Sequence, residues 1–370
     1  MASRFLSRMA VARGVLWQTL ATLGRRHPNP SPRRILVAHH LLLGDTLMLT
    51  PLLAKLRALY PHAKVIMATP KAVAPLYQSR PFGVIAIPYD PRDPSSLAAL
   101  RRPGGYDLAI VPGDNRYSWV ARAMGARWIV AFSGDRPAYK SWPVDQQIPY
   151  PSQAAAWGDM VAGLVAGSPP EPYRPAEWPD PVHTPFPSPR DPYCVLHVGA
   201  SSPLKLWAPQ EWRALAAWLT KKGYQVVWSG GRGEGSIVAA IDPESRYLSF
   251  AGRLDLPQLW HLAKGARLLV CPDTGVAHLG RLTGTPTVAL FGPGSAAISG
   301  GGRYWQDSPY RAVTIPEFPC RDQHLLFKRE LAWVHRCSRS PAECPSPACM
   351  QAIGVKAVQN AVDELLISVN

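Results

Sequence analysis

Two doubly wound α/β domains, each a parallel sheet covered by helices, are predicted by three observations. From residue 33 onward, short apolar runs alternate with segments of helical spacing, the pattern of βαβ units. Between Pro169 and Pro192 that pattern stops, in "PPEPYRPAEWPDPVHTPFPSPRDP", too proline-dense for a helix or central strand. At residue 193 the alternation starts again. A chain of 370 residues suits two domains of ordinary size. The predicted layout is an N-terminal extension (1–32), a first domain (33–168), a stiff extended linker (169–192), a second domain (193–349) and a closing helix (350–370). Such a pair faces a ligand cleft with the carboxyl ends of both sheets.

The extension "MASRFLSRMAVARGVLWQTLATLGRRHPNPSPRR" has seven arginines and no acid. Phe5, Met9, Ala12, Leu16, Leu20 and Leu23 recur at steps of three or four and share one helical face. Arg13 and Gln18 interrupt the apolar run, and no small-residue cleavage site follows, which argues against a signal peptide. Two readings stand: a basic amphipathic helix on an anionic membrane surface, or an extension docked on its own protein.

In the first domain "RRILVAHH", "KVIMAT", "GVIAIPY", "YDLAIVPG" and "RWIVAFSG" read as buried strands. "TLMLTPLLAKLRALYP", "KAVAPLYQS", "SSLAALRR" and "SWVARAMGA" read as the helices between them. In the second domain the strands are "YCVLHVGA", "YQVVWSGG", "YLSFAG", "RLLVCPD" and "PTVALFGP". Its helices are "APQEWRALAAWLTKKG", opened by Pro209, "GEGSIVAAI", "DLPQLWHLAKGA", "TGVAHLGRLTG" and the tail "IGVKAVQNAVDELLISV".

Hydrophobic content of 47% excludes a disordered chain, and no apolar run reaches the roughly 18 residues of a membrane span. The net charge of +15 favours an anionic partner: nucleic acid, anionic lipid or a phosphorylated substrate. No helix-turn-helix or aromatic-basic RNA motif is present, so nucleic acid ranks last.

Four polar motifs fall where strands end and helices begin, the positions at which backbone N–H groups and the helix dipole favour anions. In "LLLGDTL", Gly44 permits a tight turn and Asp45 is the first acidic residue of the chain. Asp45 reads either as a helix N-cap or as a general base at the cleft mouth. In "HVGASSPLKLW", small residues including Ser201 and Ser202 admit a ligand to the backbone, with Lys205 as a cation; an ordinary loop with a surface lysine is the plainer reading. In "WSGGRGEGS", Gly230 and Gly231 precede Glu234, placed either to accept from ribose hydroxyls or to sit in a first helical turn. In "CPDTGVAHLGRLTG", Asp273 and Thr274 are N-cap types, Gly275 opens a helix and His278 follows one turn on. A lone histidine there is more often packed core, but the combination is specific.

Taken in order, "LLLGDTLMLTPLLAKLRALYPHAKV", "YDLAIVPGDNRYSWVARAMGARWIVAFSG", "LHVGASSPLKLWAPQEWRALAAWLTKKGYQVVWSGG", "FAGRLDLPQLWHLAKGARLLVCPDTGVAHLGRLTGTPTVALFGP" and "CMQAIGVKAVQNAVDEL" resemble glycosyltransferase family 9, the ADP-heptose:lipopolysaccharide heptosyltransferases. The resemblance implies a GT-B fold, two Rossmann-like domains with acceptor mainly on the first and nucleotide sugar on the second. It implies inverting transfer, with Asp45 as catalytic base. Ser201, Ser202, Lys205, Gly230, Gly231, Glu234, Asp273, Thr274, Gly275 and His278 would hold the donor, and His39, Gly44 and Asn115 the acceptor. The donor would be a nucleotide sugar, ADP-linked, and the acceptor a lipid-linked or phosphorylated glycan. No other cofactor is implied. The place of work would be the cytoplasmic face of the inner membrane. No DxD-like metal motif occurs, so Lys205, arginines and helix N-termini would carry the charge of the leaving diphosphate.

The chain departs from the family pattern at the places usually held by Arg and Ser-Ser before "LGD", which are His39, Leu41 and Leu42, and at Gly294, where Thr often follows "FGP". A different nucleotide sugar, or a binding relative without turnover, is the alternative those departures raise. The late segment 320–349 carries Cys320, Cys337, Cys344 and Cys349, with His324 and His335. Their irregular spacing favours packed free thiols over zinc. The arginines and lysines of the segment could instead meet acceptor phosphates. Cys194 and Cys271 read as buried beside strands.

Overall fold

A computed structural model describes residues 2–21 and 26–368. The chain forms two compact units: residues 1–171 with 325–331, and residues 172–324 with 332–370.

The first unit is built on six parallel strands: β1 (Arg34–Val37), β2 (Lys64–Thr69), β3 (Ile85–Pro88), β4 (Tyr106–Val111), β5 (Ala126–Phe132) and β6 (Gln146–Ile148). Their order is β3-β2-β1-β4-β5-β6. Leu36 of β1 pairs with Ile66 on one side and Ala109 on the other, so the strand order reverses at β1. The segment leaving β1 therefore enters the crevice that such sheets offer to ligands. It leads into a short helix, Leu43–Leu47, followed after a break by Thr50–Leu59. Pro51 in the first turn of the second helix explains the restart, because proline is tolerated there and not deeper. "KAVAPLYQS", expected as a helix, makes only a 3₁₀ turn, Ala74–Tyr77, with Pro75 in its first turn.

The N-terminal helix Ala2–Ala21 docks on this unit by a face other than the expected one. Ala10, Val11 and Val15 pack on the core around Leu36, Val120 and Met124. Gly14 backs against Ala123. The stripe of Phe5, Met9, Ala12 and Leu16 faces outward instead, with Phe5 63% and Leu16 64% exposed. The side chain of Leu20 and the whole of Leu23, which continue that stripe, lie outside the described residues.

The second unit repeats the topology with β7 (Tyr193–His197), β8 (Gln225–Ser229), β9 (Leu248–Ser249), β10 (Leu268–Pro272), β11 (Thr287–Phe291) and β12 (Tyr310–Thr314). The order β12-β11-β10-β7-β8-β9 reverses between β7 and β10. Trp207, Trp212 and Trp228 fill its core, and the C-terminal helix Val355–Ser368 closes it with Val358, Val362 and Leu365.

The proline-rich segment is extended apart from one 3₁₀ turn, Pro175–Glu177, but it is no free spacer. From Pro172 it is laid on the second unit. The Tyr173 hydroxyl donates to the Leu282 carbonyl at 2.8 Å, and the Trp178 ring meets Trp260 at 5.7 Å. The aromatic residues between the prolines are what anchor it.

The last strands form a two-stranded antiparallel hairpin, β13 (Leu325–Leu326) and β14 (Arg329–Glu330). Although it lies late in the sequence, it packs into the first unit.

Candidate functional site

Candidate residues gather in two places, one in each unit. In the first, Leu42 is the N-cap of the helix Leu43–Leu47 and gives no side-chain cap, so the N-cap reading of Asp45 does not hold. Asp45 is partly buried in the first turn, after Gly44, where the positive end of the helix favours a carboxylate. Thr46 fixes that turn: its hydroxyl donates to the Leu42 carbonyl at 2.8 Å, and its backbone N–H closes the same turn.

His39 and Asn115, expected to face an acceptor, are buried. His39 Nδ1 accepts from the Leu41 N–H at 3.2 Å. Burial first, and His40 second, bring its pKa down to about 3. His39 is therefore neutral and cannot supply the cationic contact of an arginine. The Asn115 amide donates to the Phe132 carbonyl and to Ser141 Oγ, each at 2.8 Å. Its Oδ1 accepts from Arg329 at 2.8 Å. Both donors are taken, which makes Asn115 a brace within the unit.

Arg329, which the sequence did not flag, is the centre of that brace. Its guanidinium donates to the carbonyls of Ser133 (2.9 Å), Gly113 (3.0 Å) and Phe327 (2.9 Å). Asp135 lies 3.6 Å away, with both side chains almost fully buried. Lys140 joins the group at 3.1 Å from Asp135 and from Asp114.

In the second unit the loops after β7, β8 and β10 come together. Ser202 caps the 3₁₀ turn Pro203–Lys205 by accepting from the Leu204 N–H at 3.3 Å; Ser201 beside it is exposed. The turn carries Lys205 to the end of β10, where Nζ donates to the carbonyl and to Oδ2 of Asp273, both at 2.8 Å. Thr274, not Asp273, is the N-cap of the helix Gly275–Thr283, its hydroxyl accepting from the Val276 N–H. Gly294 explains one departure from the family pattern. A Cβ at that position would collide with Asp273 Oδ2, so the carboxylate occupies the space a larger residue would take.

Glu234 precedes the helix Gly235–Ile241, and its carboxylate accepts from the Gly231 N–H, folding back over the loop of Gly230 and Gly231. It also lies on the bare Cα of Gly199, where any side chain would overlap it. Two loops from different strands thus share one carboxylate.

His278 is buried one turn into its helix, with Nδ1 unpaired among the described residues. Burial, then Arg281 and Lys205, hold it well below its ordinary pKa and so neutral. Arg281 is a second residue that the sequence did not single out, although it lies three positions past His278. Its guanidinium stacks 3.7 Å over the Tyr310 ring and donates to the Ser299 carbonyl at 3.1 Å. No carboxylate pairs with it among the described residues. Lys205 in the turn and Arg281 in the last turn of the helix, both near enough to act on His278, stand against the one charge of Asp273, a cationic surplus beside backbone N–H groups.

Among the described residues, the late cysteines included, no group of three or more His, Cys, Asp or Glu is arranged to hold an ion. Cys320, Cys337, Cys344 and Cys349 are free thiols, as are the buried Cys194 and Cys271. Two arginines of the segment are occupied with structure. Arg321 binds the carbonyls of Phe291, Gly292 and Ile315, and Arg339 binds Asp322 and the Cys320 carbonyl.

The model of Glycosyltransferase family 9 (heptosyltransferase) matches residues 97–310, more than half the chain. Lipopolysaccharide heptosyltransferase 2 of Salmonella typhimurium is 26% identical over 294 residues, 71% of this chain and 83% of that protein. Lipopolysaccharide heptosyltransferase 1 of Pseudomonas aeruginosa is 29% identical over 142 residues, and the chain spans only 39% of its length. An Escherichia coli heptosyltransferase solved with ADP superposes with a TM-score of 0.65 at 17% identity, covering 90% of this chain and 99% of that one. With two parallel sheets of the same reversed order, the fold is GT-B, and the chain belongs to glycosyltransferase family 9, the heptosyltransferases.

Proposed function

We propose that this glycosyltransferase moves a heptose from ADP-heptose onto a lipopolysaccharide core acceptor, with inversion and without a metal. The observation that carries the donor half is the turn of Lys205 and Asp273 at the carboxyl ends of β7 and β10, with Arg281 adding charge from the last turn of the helix Gly275–Thr283. A leaving diphosphate needs positive charge and N–H donors fixed in advance, and this turn has both. Glu234, held over its glycine loop, is the acceptor for ribose hydroxyls. The relative solved with ADP supports an adenine nucleotide here.

Asp45 is the base in this reading. It takes the proton of the acceptor hydroxyl as that oxygen attacks the anomeric carbon from the face opposite the diphosphate. A carboxylate at a helix N-terminus is a weak ground-state base, but the hydroxyl grows acidic only as the new bond forms. Asp45→Asn keeps the shape and removes the charge and the basic oxygen, so it should fold normally and lose transfer by roughly a hundredfold or more. Release of ADP from ADP-heptose, with a lipid A-type acceptor, reads this. Equal turnover in both proteins would remove Asp45 from the chemistry, and donor binding without turnover in the parent would leave a binding protein.

One observation favours a second reading, the same chemistry on another nucleotide sugar. The place of the usual arginine holds a buried, neutral His39, so the contact it would make is missing. A panel of ADP-, GDP- and UDP-sugars in the same release assay separates the two.

The enzyme is proposed to work at the cytoplasmic face of the inner membrane through the outward face of helix Ala2–Ala21. Phe5, Met9, Leu16 and Trp17 are exposed there, with Arg8 and Arg13 on the same helix. None of the described helices is long and apolar enough to cross a membrane. Flotation with anionic vesicles, abolished by Phe5→Ser with Leu16→Ser and Trp17→Ser, is the expected result.

A further inference from the structure

We propose that the first unit carries a binding site for an anionic sugar, roofed by the hairpin β13–β14, in which Arg136 and Lys328 hold the phosphate or carboxylate. It rests on the transferase reading only in that such a sugar would belong to the acceptor.

A cavity of about 470 Å³ opens where β5 and β6 end. That is within the range of small-molecule sites and large enough for one or two sugar rings. Its lining is mixed in the way sugar sites are. Tyr150, Leu325 and Leu331 give apolar surface, and the Tyr150 ring is fixed flat by stacking on Phe132 at 4.0 Å.

The charges divide into two groups. Arg329 at the back is neutralised by Asp135 and fully engaged with carbonyls, so it shapes the wall. Arg136 and Lys328 are exposed at the cavity and form no ion pair among the described residues. Glu330 is the carboxylate of the lining, so two free cations face one anion. Glu330 suits the hydroxyls of a sugar, and the cations suit its charged group.

The roof is held in a costly conformation. Phe327 and Lys328, at the tip of the hairpin, have φ of 45° and 66°, the left-handed region where Asn-Gly is the usual choice. Non-glycine residues stay there only when their surroundings fix them. Phe327 is fixed by its ring, 5.0 Å from that of the buried Trp157. Lys328 completes the same two-residue turn, which takes positive φ at both central positions, and its side chain lines the cavity.

The test is calorimetric titration of the full chain, saturated with ADP so that the nucleotide site is closed, with glucose 6-phosphate, glucuronate and glucose in low salt. At least one anionic sugar should bind, and glucose at least about tenfold more weakly. The one that binds tighter identifies phosphate or carboxylate as the group read. Arg136→Ala with Lys328→Ala should weaken that binding at least about tenfold, and Arg136→Lys with Lys328→Arg should restore most of it. Equal binding of glucose, no binding of either anion, or an unaffected alanine pair would overturn the proposal. ADP affinity of the parent is measured separately: its absence would sink the nucleotide-sugar reading, whatever the anionic sugars do.

Discussion

At the scale of single residues, the turn proposed to hold the donor depends on atoms that are missing. Gly199 leaves room for the Glu234 carboxylate, which in turn takes the Gly231 N–H. Gly199→Ala should therefore push Glu234 off its loop without unfolding the sheet. The expected outcome is a melting temperature within a few degrees of the parent and ADP binding weaker by roughly tenfold, about 1.4 kcal/mol. Unchanged ADP affinity would mean that Glu234 does not touch the nucleotide. The residues of this turn were legible in the sequence because strand ends, small residues and a helix start mark such sites by their order. Burial is not marked that way. His39 and Asn115 sit in equally suggestive positions, yet both point inward, one losing its charge and the other its free donors. Arg281 was overlooked for the opposite reason: an arginine in a helix reads as surface, and stacking on Tyr310 and a hydrogen bond to the Ser299 carbonyl hold it inside.

At the scale of elements, the central strands and one edge of each sheet, β3 and β9, were legible, and the opposite edges, β6 and β12, were not. β1, β4, β7 and β10 each carry an apolar run of three or four residues, Ile35–Val37, Leu108–Val111, Tyr193–Leu196 and Leu268–Cys271, of the near-continuous kind that strands buried on both faces show. β6, in "QQI", and β12, in "YRAVT", have polar residues that suit an edge and hide the strand. The hairpin β13–β14 hid more completely, since its turn is Phe-Lys and carries no glycine or asparagine. What fixes it is a buried ion pair. Arg329→Met should remove the partner of Asp135 and cost roughly 3 kcal/mol, the low end for a broken buried pair because Lys140 still faces Asp135. Urea unfolding monitored by tryptophan fluorescence measures it. A loss below about 1 kcal/mol would show that the hairpin is carried by Phe327 packing instead.

At the scale of the molecule, acid sensitivity follows from histidines kept neutral. Burial holds His39 at about 3 and His197 at about 4, and His278 also well below the usual range. An unfolded chain takes up these protons near pH 6.5, while the folded chain refuses them until far lower. Stability from each is complete above about pH 6.5 and is lost as pH falls toward 4 and then 3, at up to ~1.4 kcal/mol per pH unit per proton. Melting temperatures should fall steadily from pH 7 to pH 4. His39→Gln should flatten that slope, and an unchanged slope would show that His39 titrates normally. The division into two units was legible from the proline-rich break. That the break is pinned to the second unit by Tyr173 and Trp178 was not, because a proline count says how a segment bends and nothing about what its aromatic residues touch.

The hairpin has a bearing on engineering. The chain passes from one unit to the other at residues 171, 324 and 331, so neither unit is a continuous stretch of sequence. Halves exchanged between relatives at the proline-rich break would leave behind the arginine that neutralises Asp135. The two units are not separable modules here: the late segment 325–331 belongs to the first unit, so a chimaera has to carry both together.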